Sequence, residues 1–144
     1  SALAARTYEF SEFLVRVLGV EEVGAVYAGK VAYPASCHLL RELGVAEPPH
    51  RLLQAVRGIR VTPMDLEAQC CGFGGTFAVA FPNVSNAMGT LKLDHILAAR
   101  PDYIVSGDMS CLMHLAGLAE REGNPLKTRH VAQILRDALG RKSE

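Results

Sequence analysis

Cys37, Cys70, Cys71 and Cys111 are the four cysteines of the chain, spaced C-x32-C-C-x36-D-x2-C when Asp108 is included. Two of them are adjacent and run into a glycine-rich turn, "QCCGFGG" over residues 69–75. Neighbouring Cα atoms sit about 3.8 Å apart across a trans peptide, whereas a disulfide needs roughly 4.4–6.8 Å. A Cys70–Cys71 bridge is therefore disfavoured, and another use for the pair is needed. Four thiolates can complete the ligand set of an iron–sulfur cluster or of a structural zinc. The Cys-x-x-Cys pairs of zinc modules are absent. A third reading is a thiol enzyme, with Cys70 or Cys71 as a low-pKa nucleophile and His38 as its base. The plainest is that each cysteine is a small buried hydrophobe.

The residues beside the cysteines refine these readings. Gly72, Gly74 and Gly75 would let the backbone approach a bound group, with their amides free to donate to its sulfurs. Cys37 and Cys111 are each expected in the first turn of a helix, where unpaired N–H groups and the positive end of the dipole favour an anion. Asp108 reads as an N-cap for the second of these helices, as an oxygen neighbour of the bound group, or as both. His38 reads as a tuning residue or as a solvated side chain. The glycine run lacks the G-x-G-x-x-G order and any P-loop lysine, which disfavours nucleotide binding.

Hydrophobic periodicity supplies the elements that must hold these residues. Residues 3–18 carry Leu3, Tyr8, Phe10, Phe13, Leu14, Val17 and Leu18 at helical spacing with Gly19 as a stop, predicting a leading helix over 1–19 that docks on the rest. A strand is expected over 30–36, halted at Pro34. A helix then starts with Ser36 as N-cap, buries Leu39, Leu40 and Leu43, and stops at Gly44. A second helix over 48–56 and a strand over 59–64 lead to the cysteine pair. Residues 85–99 predict a long helix burying Met88, Leu91, Ile96 and Leu97. The clearest strand, "DYIVSGD" over 102–108, feeds a helix over 109–123. A short strand over 126–130 precedes a final helix with Val131, Ile134, Leu135 and Ala138 on its buried side.

Strands alternating with helices predict an α/β fold: an open, mostly parallel sheet with helices on both faces, in a Rossmann-like three-layer arrangement. Ligands of such sheets sit at the carboxyl ends of the strands. Every cysteine follows closely on an expected strand, so one sheet edge can gather all four.

Length and composition set the outer limits. At 144 residues with 49% apolar content, the chain is expected to form one domain with a Leu, Val, Ile and Ala core. Lys plus Arg and Asp plus Glu number 15 each, which leaves no net charge to draw nucleic acid or anionic lipid. Apolar runs are too short for a membrane span and no signal-peptide pattern opens the chain, so a cytoplasmic domain is expected. Cysteines in that compartment argue for metal, catalysis or burial over disulfides. A chain opening on Ser1 without methionine is expected to be a piece of a longer protein.

"CCGFGGTF", with "SCHLLRELG" before it and "VSNAM", "DMSCLMHLAG" and "HVAQIL" after it, closely resembles the cysteine-rich (CCG) domain family. The resemblance is strongest to the C-terminal CCG domains of the iron–sulfur proteins of lactate utilization and glycolate oxidation, and covers essentially the whole chain. It implies a non-catalytic electron-transfer subunit of an oxidoreductase that converts a 2-hydroxy acid, L-lactate or glycolate. The implied cluster ligands are Cys37, Cys70, Cys71 and Cys111. The implied partners are a preceding N-terminal CCG domain and the other subunits of the complex, including a flavin or iron–sulfur partner.

Two departures from the family pattern stand out. Asp108 replaces the first cysteine of a terminal Cys-x-x-Cys, leaving four thiols where the non-cubane clusters of heterodisulfide reductase use five. This implies an ordinary [4Fe–4S] cluster. Pro34 and Ala35 stand where relatives carry a histidine and an acid, removing polar groups from beside Cys37.

Overall fold

A computed structural model describes residues 2–140. Its centre is a single four-stranded sheet formed by β1 (Val26–Ala32), β2 (Arg57–Val61), β3 (Tyr103–Ser106) and β4 (Thr128–His130), in the order β2-β1-β3-β4. All three strand pairings are parallel. Successive side chains on a strand point to opposite faces, so Val31 and Val105 face one side while Ala32 and Ile104 face the other. The first side is covered by Leu52 and Leu53 of helix α2 (Glu47–Ala55) and Ile134 and Leu135 of α6 (Val131–Gly140). The second is covered by Ile96 of α4 (Pro82–Ala98) and Leu112 and Leu115 of α5 (Met109–Arg121). The expected three-layer α/β architecture is therefore what forms.

The strand order fixes where a site can be. From β1 the chain moves to the β2 edge and then returns across to β3, so the two central strands lead their loops in opposite directions. A crevice opens at such a reversal, beyond the carboxyl ends of the strands. Cys37 follows β1, and Asp108 and Cys111 follow β3.

Several expected elements form with different bounds. The strand expected over 30–36 begins earlier, at Val26, and ends at Ala32, two residues before Pro34. The second strand likewise begins at Arg57 and stops at Val61. The long helix starts at Pro82, behind a short α3 (Thr76–Ala80).

Three expectations about buried faces are corrected. The leading helix is not continuous: a 3-10 turn (Ala4–Arg6), a three-residue α1 (Phe10–Glu12) and a π turn (Phe13–Val17) replace it. Glu9 restarts the helix, because its carboxylate accepts from the Ser11 and Glu12 amides at 2.8 and 3.1 Å. Leu3, Tyr8, Phe10, Phe13, Val17 and Leu18 are exposed, and Ser11 and Val15 are the buried positions of the segment. In the segment after β1, Ser36 is not the cap. Its hydroxyl donates to Asp108 instead, Cys37 takes the cap position, and the π turn His38–Glu42 leaves Leu43 exposed. On α4 the buried face is Ser85, Gly89, Lys92, Leu93 and Ile96, with Leu91 exposed.

Candidate functional site

Three loops at the carboxyl side of the sheet bring the four cysteines into one cleft of about 640 Å³. Ser36, Gly107 and Asp108 form part of its wall, and Gly74, Gly75 and His38 also line it. The sulfurs approach in two pairs. Cys37 Sγ lies 3.5 Å from Cys70 Sγ, and Cys71 Sγ lies 2.6 Å from Cys111 Sγ. All four thiols are free. Among the described residues, no three Cys, His, Asp or Glu side chains converge as a ready-made site for one metal ion.

The adjacent cysteines face different surroundings. Cys71 and Cys111 are buried, whereas Cys37 and Cys70 are partly open. The Cys111 thiol beside it pulls Cys71 down to about 6 against the cost of its burial, with the Phe73 amide and the Lys92 charge helping. Cys111 is pushed up by the same contact, together with its burial. Burial raises Cys37, reinforced by the neighbouring Cys70.

The Gly72 amide donates to Cys70 Sγ at 3.4 Å, so a backbone N–H does reach a cysteine sulfur. What demands glycine at 72 is packing: a Cβ there would sit 2.4 Å from the Ser85 carbonyl oxygen and 2.9 Å from Met88 Cβ, at a φ of +86°. The turn is thus pressed onto α4. Gly74 and Gly75 follow with φ of +54° and +60°.

Asp108 is the N-cap of α5. One carboxylate oxygen accepts from the Ser110 amide at 2.9 Å and the Cys111 amide at 3.3 Å; the other accepts from the Ser36 hydroxyl at 2.8 Å. It therefore ties the Cys37 loop to the helix that carries Cys111. Burial would raise its pKa, but the bonds from Ser110 and Ser36 outweigh that and hold it below the usual carboxylate range. Behind it, His130 Nδ1 accepts from the Ala132 amide, so Nε2 carries the proton and donates to the Gly107 carbonyl at 2.9 Å.

A consequence for stability follows from the cap. Asp108→Ala is expected to lower the unfolding free energy by about 1–2 kcal/mol in urea denaturation, with Asp108→Asn losing less because asparagine also caps. Since folding depresses this pKa, the contribution is complete above the ordinary carboxylate value of about 3.9 and disappears as pH falls through the folded value. The wild-type advantage over Asp108→Ala should therefore shrink on acidification. An undiminished gap at low pH would contradict it.

His38 lies at the rim, with Nδ1 2.8 Å from a Glu42 carboxylate oxygen, both side chains more than half exposed. Its imidazole makes no hydrogen bond to a thiol among the described residues, whereas its backbone N–H favours the Cys37 thiolate.

Sequence reasoning missed Lys92. Its side chain is fully buried, at 1% exposure, and Nζ donates to the carbonyls of Ala35 at 3.0 Å, Glu67 at 3.1 Å and Gln69. Burial lowers its pKa, while the nearby cysteines, Cys111 foremost, oppose that shift. A signal was present: Lys92 lies four residues from both Met88 and Ile96, inside the apolar stripe rather than beside it.

Comparison with known proteins agrees with this geometry. A family model for the CCG cysteine-rich domain matches residues 31–116, a span that includes all four cysteines. Lactate utilization protein A of Lysinibacillus sphaericus (strain C3-41) is 46% identical over 134 residues, 93% of this chain and 59% of that protein. The proteins of the same name from Geobacillus sp. (strain WCH70) and Oceanobacillus iheyensis are each 44% identical, over 93% and 92% of this chain and 56% and 54% of their own lengths. The chain spans a little over half the length of these relatives. By its match over most of its length and through every cysteine, the chain belongs to the CCG cysteine-rich domain family.

Proposed function

We propose that the cleft holds an iron–sulfur cluster of the [4Fe–4S] type, and that the domain carries electrons in a complex that oxidises a 2-hydroxy acid, L-lactate in the first instance. The observation that carries this reading is the convergence of all four cysteines, as two sulfur pairs, on one cleft at the reversal of strand order. A zinc ion needs its four donors around one centre at about 2.3 Å. Each thiolate of a cluster instead binds its own iron, and a cleft of about 640 Å³ leaves room for such an extended group.

Cys37, Cys70, Cys71 and Cys111 would be the ligands. A bound cluster accepts and releases single electrons, while the two-electron chemistry of the substrate belongs to a flavin or other partner. The chain supplies the setting: the Gly72 amide donates to a ligand sulfur, and the N-terminus of α5 directs its positive end at Cys111. The name of the relatives supports lactate as the substrate of the assembly, with glycolate as the alternative. A second CCG domain, preceding this one, is taken to complete the working protein. Four free thiols suit the reducing cytoplasm.

The test is iron and acid-labile sulfide analysis with a visible spectrum, on the 144-residue chain purified or reconstituted without oxygen. About four irons per chain, a visible absorption bleached by dithionite, and loss of both in a folded Cys71→Ser variant are expected. Stoichiometric zinc without colour would overturn the reading in favour of a structural metal site.

A further inference from the structure

An ammonium group with no carboxylate partner is expensive to bury, because its hydration is lost without an opposite charge to replace it. Lys92 is such a group. It takes part in none of the ion pairs among the described residues, and the nearby Glu67 carboxylate is engaged by His50 at 2.8 Å. Its three N–H donors are instead used by three backbone carbonyls.

Those carbonyls are not scattered. Ala35 lies two residues before Cys37, and Gln69 immediately precedes the Cys70–Cys71 pair, with Glu67 two residues further back. A single side chain on α4 thus joins the two loops that carry three of the four thiols. The loops come from strands at different positions in the sheet, and no bond between a backbone atom of 35–37 and one of 67–71 joins them among the described residues. The charge is also placed where thiolates are the available anions: the groups that favour the charged lysine are Cys111, Cys71, Cys70 and Cys37.

We propose that Lys92 is the positioning residue of the cysteine cleft: its buried ammonium staples the Cys37 loop to the Cys70–Cys71 loop and supplies the internal positive charge that offsets the thiolates. The staple stands on its own hydrogen bonds. The charge role rests on the cluster reading above, because its effect is on the potential of a bound cluster. Adding an electron to an already anionic centre is easier beside a fixed cation. Removing that cation makes reduction harder.

Two substitutions separate the parts. Lys92→Met removes both charge and donors at similar length; Lys92→Gln removes the charge and keeps an amide that can donate to the carbonyls. In metal-free protein, hydrogen exchange of segments 33–38 and 66–75 should accelerate about tenfold or more in Lys92→Met, less in Lys92→Gln, with α6 unchanged. Protection in both segments equal to that of the wild type would overturn the staple, whether or not a cluster ever binds. In reconstituted protein, dye-mediated titration should give both variants a reduction constant about tenfold lower, or about 59 mV more negative for one electron. A potential unchanged or more positive in Lys92→Gln would overturn the charge role. Should Lys92→Met fail to fold, Lys92→Gln carries both measurements.

Discussion

Gly72→Ala should destabilise the domain by about 2–4 kcal/mol, from overpacking and an unfavourable backbone conformation together. The new methyl group would lie 2.4 Å from the Ser85 carbonyl oxygen, a backbone atom of a 17-residue helix that cannot swing aside as a side-chain tip can. Relief requires the whole 70–75 turn to lift from α4. Lifting it moves Cys70 and Cys71 away from Cys37 and Cys111. The variant should therefore lose cofactor loading even at temperatures where circular dichroism reports a folded chain. Urea unfolding and iron content measured on the same samples check both parts. Full loading with wild-type stability would show that the turn can relax without the helix.

Ile134→Ala should cost as much or more, about 2–5 kcal/mol, for a different reason and with a different outcome. Ile134 is completely buried on the α6 side of the sheet, in the core that contains Val31, Val105 and Leu53. Its loss leaves a cavity in the layer opposite the cysteines. Since domains of this kind have about 5–15 kcal/mol in total, the change is large, and a shift of the urea midpoint will report it. Cofactor bound per folded chain should stay at the wild-type level, because Cys71 and Cys111 belong to the other core. A fall in loading per folded chain would mean that the two faces of the sheet are coupled through β1 and β3.

How far these features could be read from the sequence depended on how local their causes are. The α6 stripe was legible because all four apolar positions do face the core, and β3 because an apolar run between Pro101 and Gly107 has few other uses. The first strand started four residues before its expected position, since Gly24 and Gly29 hid the β character of Val26 and Tyr27. The leading segment failed because a helical stripe signals burial only if a partner surface exists, and there Glu9 broke the helix and solvent took the stripe. The gathering of the cysteines followed from topology and was foreseeable. Their pairing was not, because it depends on how α4 seats the glycine turn. Lys92 escaped notice because its partners are carbonyls, which every residue has.

The seam between β1 and β3 has a further consequence, in time rather than in space. The hydrogen bonds that close it, Ser36 to Asp108 and Ser106 to the Pro34 carbonyl, each span 72 residues. Contacts of such long range form late, and parallel pairings of this kind are slow to fold. A ribosome adding about 5–20 residues per second needs about 2–8 s to travel from Cys71 to Cys111. Through that interval three thiols stand without their shelter, open to oxidation or to a wrong disulfide. The nascent chain is thus most exposed to oxidant before its last cysteine emerges, and what it needs then is a reducing environment more than a cofactor.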